Sequence, residues 1–345
     1  MTTAGYCIVL FGRLAPAGTS AIPDSLCENE CGNTLLSSAL FVDHFRNFPL
    51  ESSTVSHPQA GPSLSWSNGP FKNDRVHAIR CHCPNMLQAW ANRTRHWPPS
   101  DIVEKVVAMG AFVTPIGFKG SKHIHVEWRI CFNTGETELV NSLNDTHIKL
   151  YMLLKMIAKD ILKPKMKEIT SYTMKNIVLW LAKNNKSSLF HSESLFHWLH
   201  EGLDILRTAI STRQLPYYMI PERNLMATSG LSNEQQLLWG RTIKDMMEEG
   251  PRILLRLDKF RKAVIGYPEP LLWYSKMRTE LEMWQLKLFN RQLQCEVTNS
   301  MVFETDTIVQ TCIKRTNEIQ QEVAWRMGID GSSFDDVKVL KMMLS

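Results

Sequence analysis

The sequence predicts an α+β fold that is predominantly helical, with a helical lobe resting on a partial mixed β-sheet. Two observations predict it. Between Asn73 and Phe132 the runs RVHAIRC, GAFVTPIGF and HVEWRICF are rich in β-branched and aromatic residues, which favour strands. From Glu136 onward, apolar residues recur at helical spacing instead. A third observation concerns charge rather than fold. Nine lysines lie between Lys149 and Lys186 against only Asp160 and Glu168, although the whole chain carries a net charge of only +5.

Up to about Pro70 the chain reads as loops, with Gly, Pro and Ser clusters at 15–25 and 57–70. TLLSSALFVDHF, between those clusters, reads as a short helix or strand. Asp74 stands at the head of the first predicted strand, and DIVEKVVAMG (101–110) reads as a helix between strands. The strand WRICF carries Arg129 among apolar neighbours. Leu150, Leu154, Ile157 and Ile161 then form one helical stripe, with Lys155, Lys159 and Lys163 on another side. Met174, Ile177, Val178 and Leu181 mark the next helix, and Leu195, Leu199, Leu203, Leu206 and Ile210 a third. Pro216 and Pro221 force a loop before helices near 233–249 and 252–264. Beyond Pro268 and Pro270, two long helical patterns occupy about 271–293 and 305–328.

At 345 residues, 44% of them hydrophobic and 21% charged, the chain has the composition of an ordinary globular protein of two or so domains. No apolar run approaches the roughly 18 residues of a membrane span, and TAGYCIVLFGRL is too short and interrupted for a span or a signal peptide. Eight cysteines without a framework spacing read as reduced thiols in a cytoplasmic or nuclear protein. No zinc site is expected, because Cys81-His82-Cys83 is too tightly spaced and, like Cys27 with Cys31, lacks a second pair. His191, His197 and His200 have no nucleophile nearby in sequence and read as capping or packing residues.

The lysine excess asks for a polyanion. Ser171 and Tyr172 open a helix within it, where free N–H groups suit a phosphate and the ring suits a stacked base. Lys159, Lys163, Lys165 and Lys167 read either as a solvated basic face or as a polyanion surface.

The runs WRICF, SLNDTHIKLYMLLKMIAKDIL, ITSYTMKNIVLWLAKNN and LPYYMIPERNLM make the chain recognisable. They resemble the male-abnormal twenty-one-like family, which includes cyclic GMP-AMP synthase and its invertebrate receptor relatives. RHWPP and VTPIGFKGSKHIHVEWRICFNTGETELVN resemble the mollusc members in particular. The resemblance runs from about Gly5 to the C-terminus. It implies a nucleotidyltransferase-like fold with residues 1–132 as a remnant of the catalytic core. It further implies a helical lobe of HhH/H2TH-like character at 133–265 and a helical appendage at 266–345.

Enzymes of that family join nucleotides with two Mg²⁺ or Mn²⁺ ions held by three carboxylates, so that cations bridge the attacking and leaving oxygens. The resemblance assigns only the late carboxylate, Asp74. A Gly-Ser turn and an acid pair have no clear counterpart, as if the chain began downstream of them. Glu28-Asn29-Glu30 is the one substitute, and it reads as a solvated loop. The resemblance places nucleotide contacts at Arg129, Cys131, Asn133, Glu136, Lys155, Ser171 and Tyr172. The alternative for Arg129 is a strand arginine paired with Glu127 or Asp145, and for Tyr172 helix-surface packing. In the family's sensors a surface comparable to the lysine-rich helices binds double-stranded nucleic acid. Three readings follow. The chain is a catalytically deficient binder of purine nucleotides or polyanions, an active nucleic-acid-sensing cyclic dinucleotide synthase, or a helical protein-interaction module.

Overall fold

Apolar periodicity and β-branched runs resolve into twenty strands and α-helices among the described residues of a computed structural model. Those residues are 2–12, 21–46, 54–56, 62–68, 71–162, 169–227, 230–265, 268–297 and 306–329. In chain order they begin with β1 (Tyr6–Ile8), β2 (Leu26–Glu28), β3 (Thr34–Leu36) and α1 (Ser38–Arg46). Next come β4 (Thr54–Ser56), β5 (Leu64–Asn68), β6 (Phe71–Arg75) and β7 (Ile79–Cys81). The helices α2 (Pro84–Ala91) and α3 (Ser100–Met109) precede β8 (Ala111–Thr114) and β9 (Glu127–Cys131). Helices α4 (Asn133–Asn141), α5 (Asp145–Ile157), α6 (Ser171–Asn184) and α7 (Leu195–Thr212) follow. The last are α8 (Asn233–Glu249), α9 (Asp258–Ile265), α10 (Pro268–Val297) and α11 (Thr307–Ile329). The fold is α+β and predominantly helical, as expected from the sequence.

Two compact units divide the chain, with the boundary running through α9 after Arg261. The first unit holds β1–β3, α1 and everything from β7 through α8; it contains the candidate site. The second holds β4, most of β5, β6 and the α10 and α11 helices. Within it, Met277, Leu281, Ile319 and Val323 form a small core between α10 and α11.

In the first unit four strands pair in the order β1-β9-β8-β7. Every ladder is antiparallel, where a mixed sheet was expected, with Tyr6 opposite Arg129, Phe112 opposite Cys131 and Ile79 opposite Val113. Alternation along β9 sends Trp128 and Ile130 to one face and Arg129 and Cys131 to the other. Trp128 is fully buried, donates to the Leu36 carbonyl at 2.8 Å, and meets Phe41 edge-on at 5.1 Å.

The helical core vindicates the periodic stripes. Leu150, Leu154, Ile157, Met174, Ile177, Val178, Leu181, Leu199, Leu203, Leu206 and Ile210 all lie in one buried cluster, with Ile161 and Leu195 packed against it. Each such side chain contributes about 1.5–3 kcal/mol on burial. Asn144 caps α5 by accepting from the His147 N–H at 3.0 Å. Ser232 and Gln235 form a capping box on α8.

One expectation fails here. The run RVHAIRC was read as a single strand headed by Asp74, shared with the Arg129 strand in one sheet. Instead Val76-His77-Ala78 interrupts it. Asp74 lies in β6, which pairs with β5 in a separate three-stranded sheet, and only Ile79–Cys81 joins the sheet of Arg129. The physical reason is proximity: β5 and β6 are joined by a two-residue connection, so closing that hairpin costs far less chain entropy than a distant pairing.

Candidate functional site

The resemblance-derived residues separate into three groups when placed on the fold. Arg129, Cys131, Glu136 and Tyr172 converge in the first unit. Asn133, Lys155, Lys159 and Ser171 are exposed on its helices. Lys163, Lys165 and Lys167 fall outside the described residues, so the basic face is placed only at Lys155 and Lys159. Asp74 is exposed in the other unit, where its carboxylate accepts a hydrogen bond from Ser65 Oγ.

Glu136 organises the convergent group. It sits in the first turn of α4 and is 2% exposed. A carboxylate buried alone would be very costly, so its oxygens need donors. Oε1 accepts from Tyr217 Oη at 2.7 Å and from Tyr172 Oη at 3.1 Å, while Oε2 accepts from Lys175 Nζ at 2.5 Å. The Lys175 ammonium also lies 4.9 Å over the Tyr172 ring, and Arg223 lies 5.0 Å over that of Tyr217. Burial first, and then the Glu136 charge, raises the pKa of Tyr172 above the usual phenol range. Burial, then Tyr172 and Glu136, does the same for Tyr217. Both tyrosines therefore stay protonated and donate.

Arg129 approaches this group from β9. Burial alone would lower its pKa, but Cys131, Tyr6 and Tyr172 beside it bring the net shift above the ordinary arginine range. Its Nε is buried without a hydrogen-bond partner. The alternative pairing of Arg129 with Glu127 or Asp145 does not form. Glu127 is taken by the Phe118 N–H at 2.9 Å and Ser121 Oγ at 2.7 Å, and Asp145 pairs with Lys149 at 2.6 Å. Cys131 lies within 3.4 Å of Thr114 Oγ1 on the neighbouring strand. Ser171 begins α6 after Thr170, which gives no side-chain cap, so the first-turn N–H groups lack an internal acceptor.

Sequence reasoning missed Lys175, Tyr217 and Arg223. Lys175 follows Tyr172 by three positions, so one helical face carries both, a signal within reach of the sequence. Tyr217 and Arg223 sat unassigned in the quoted PYYMIPERN loop, which folds back on itself through Tyr217 N–H to the Arg223 carbonyl at 2.8 Å. Nothing local announces that this loop meets α4 across 81 residues of sequence.

The chain that carries this geometry matches the family model of the Mab-21 protein HhH/H2TH-like domain over residues 146–244. This stretch is similar to the Mab-21 family's helical domain. The Mab-21 match spans α5 to most of α8, the elements that form the helical core and supply Tyr172, Lys175, Tyr217 and Arg223. A nucleotidyltransferase-like family is thereby supported. No curated protein matches the chain.

The Mg²⁺ or Mn²⁺ of the family's enzymes can be tested against the donor set. Asp74 brings one exposed carboxylate, already bonded to Ser65, from the other unit. Glu28 ends β2 and Glu30 follows in its turn, both exposed, while Asn29 Oδ1 binds the turn's own N–H groups of Cys31 and Asn33 at 3.0 and 2.9 Å. Among the described residues no three His, Cys, Asp or Glu side chains are grouped to hold a metal ion. The donors among the described residues do not fit a two-metal site. All eight cysteines are unbridged, and no helix of the described residues is long and apolar enough to cross a membrane.

Proposed function

We propose that this protein binds the phosphates of a purine nucleotide or a related polyanion without carrying out metal-dependent nucleotidyl transfer. The observation that carries the reading is Arg129, a half-buried arginine whose buried Nε–H is free and which has no carboxylate partner among the described residues. A half-buried cation with a free N–H favours an anion, and the half-buried Tyr172 ring, with the uncapped start of α6, offers a stacking surface and N–H donors. Glu136 does not repel that anion strongly, because Lys175 pairs with it. The absence of any group of three metal-binding side chains among the described residues supports a lack of transfer chemistry. Exposed Lys155 and Lys159 add positive charge on the same unit, which favours double-stranded nucleic acid as the polyanion in a physiological setting.

Titration of the full chain with fluorescently labelled GTP tests the reading. Binding should be saturable, independent of Mg²⁺, and weakened about tenfold by a Lys155→Ala, Ser171→Ala double variant that leaves the buried network intact. Equal affinity of wild type and double variant would remove the nucleotide from this site. Dinucleotide formed from ATP and GTP with Mg²⁺ or Mn²⁺, and lost in Asp74→Ala, would replace the proposal with the synthase reading.

A further inference from the structure

A second concentration of positive charge lies elsewhere in the first unit. A cleft of about 860 Å³ opens between the end of α2 and the start of α3, with Arg93, Thr94, Arg95, His96, Ser100 and Glu104 on its walls. That volume lies in the range of about 300–1,000 Å³ typical of small-ligand sites. Its arginines are fixed rather than free. Arg93 donates to the carbonyls of Tyr218 and Met219, the latter at 2.7 Å. Arg95 donates to the carbonyls of Trp90, Ala91 and Arg93 and stacks 4.6 Å over the Trp90 ring. Two of those carbonyls end α2, where the helix dipole favours a cation.

The charge so gathered is not neutralised. The His96 N–H donates to the Lys183 carbonyl at 2.9 Å, which ties the α2–α3 loop to the last turn of α6. Burial, and then the charges of Arg93 and Arg95, lowers the pKa of Lys183, so three cations act on one another. Their partners are carbonyl and amide oxygens, and none forms an ion pair with a carboxylate among the described residues. Glu104 on the cleft wall, Asp101 in the first turn of α3 and Glu222 near Arg93 are the acids of the neighbourhood, and none bonds to these cations. Arg95 Nη1 is buried with no partner at all. Opposite the arginines, α3 begins at Ser100 after Pro99 with no side-chain cap, leaving first-turn N–H groups without an internal acceptor.

We propose that this cleft binds a small phosphate-bearing anion, either a phosphomonoester or inorganic diphosphate, at a site distinct from the Glu136 group. A tetrahedral dianion there would accept from the N–H groups that open α3 and would offset the mutual repulsion of Arg93, Arg95 and Lys183. The rigid anchoring of both guanidinium groups means that little side-chain order is lost on binding. A concave cleft of this volume suits a small anion better than a duplex, whose phosphates follow an extended convex surface.

Calorimetric titration of the full chain with sodium pyrophosphate, and separately with glucose 6-phosphate, tests the proposal. At least one probe should give saturable one-site binding, and the stronger of the two identifies the source of the phosphate. Thr94→Glu introduces a carboxylate on the cleft wall at an exposed position that makes no hydrogen bond in the structure; it should weaken binding at least about tenfold. In the Lys155→Ala, Ser171→Ala variant the binding event that Thr94→Glu weakens should persist. The proposal is overturned by an absence of saturable binding at millimolar probe, or by a Thr94→Glu chain of wild-type affinity. A loss caused by the Lys155 and Ser171 changes would move the anion to the helical face. Duplex RNA binding that disappears in Thr94→Glu, with no response to either small probe, would make the cleft part of a nucleic-acid surface instead.

Discussion

Two cation–aromatic clusters in one unit are built from the same residue types and behave oppositely. Around Glu136, Lys175 lies over Tyr172 and Arg223 over Tyr217, and a buried carboxylate closes the group. Around the α2–α3 loop, Arg95 lies over Trp90 and Lys183 lies 5.5 Å over Trp180, and no carboxylate among the described residues pairs with them. In the first cluster Glu136 and Lys175 neutralise each other and rivet α4, α6 and the Tyr217 loop, leaving Arg129 beside them with a free N–H. The second leaves its charge to whatever comes from solution. Whether an acid is buried with the cations, rather than how many cations there are, separates a structural cluster from a receptive one.

The largest test of that contrast is Glu136→Ala. It would leave Lys175 without its partner and two tyrosine hydroxyls without an acceptor, and removing one member of a buried pair costs about 3–5 kcal/mol. Urea unfolding should show that loss as a lower midpoint with an unchanged slope. A change under about 1 kcal/mol would mean that the first cluster is no more structural than the second.

His147 extends the comparison to a buried titratable group with no partner of either sign. It is 1% exposed, packs 3.8 Å from Phe190, and neither ring nitrogen has a hydrogen-bond partner. Burial drives its pKa down from 6.5 to about 4. The folded chain therefore keeps this histidine neutral while the unfolded chain takes up a proton. Stability should fall as pH drops from about 6.5 to about 4 and level off below, a loss of about 3 kcal/mol from this residue. His147→Leu should flatten that acid limb; an unchanged limb would assign it to other groups.

Tyr217→Phe removes one donor to Glu136 while keeping the ring against Arg223. Net hydrogen bonds to charged groups are worth about 1.5–3 kcal/mol, and the remaining donors from Tyr172 and Lys175 hold the effect near the low end. Nucleotide affinity should change little in this variant, because the lost hydroxyl faces Glu136; a large loss would make Tyr217 a ligand contact.

The helical half of the molecule was legible because Leu150, Leu154, Ile157, Met174 and Leu206 repeat at the period that helices impose, and burial follows period. The sheet was partly legible. Trp128 to Phe132 announces β9, but β1 has only three residues, of mixed polarity, and finds its partner 123 positions away, Tyr6 against Arg129. The break at Val76–Ala78 was invisible, since nothing in those residue types forbids a continuous strand, and with it went the placement of Asp74. At the site, the resemblance named Glu136 and Tyr172, but as nucleotide contacts. That their side chains turn to one another depends on Tyr217, which no local pattern connects to α4. The RTRHW run shows two arginines in sequence, but only the fold reveals that their forks are fixed on carbonyls and not on acids.

The smallest predicted effect is also the sharpest for the contrast, because its sign is unusual. Lys183→Met removes a charge held near Arg93 and Arg95, while its stem keeps packing near Trp180. Replacing a partly exposed lysine normally shifts stability by no more than about 0.5 kcal/mol in either direction. Here the lowered pKa means that folding disfavours the charged form, so loss of the charge should stabilise the chain slightly at neutral pH. Screening shrinks such repulsion, because the Debye length falls from about 30 Å at 0.01 M to about 3 Å at 1 M salt. The gain in Tm should therefore be greatest at low ionic strength and shrink in molar sodium chloride to the part that burial, the larger cause, contributes. Pyrophosphate should raise the Tm of wild type and raise that of Lys183→Met less, since the anion and the substitution relieve the same repulsion. A destabilised Lys183→Met at low salt would show that the second cluster is neutralised within the chain after all, and would erase the distinction from the first.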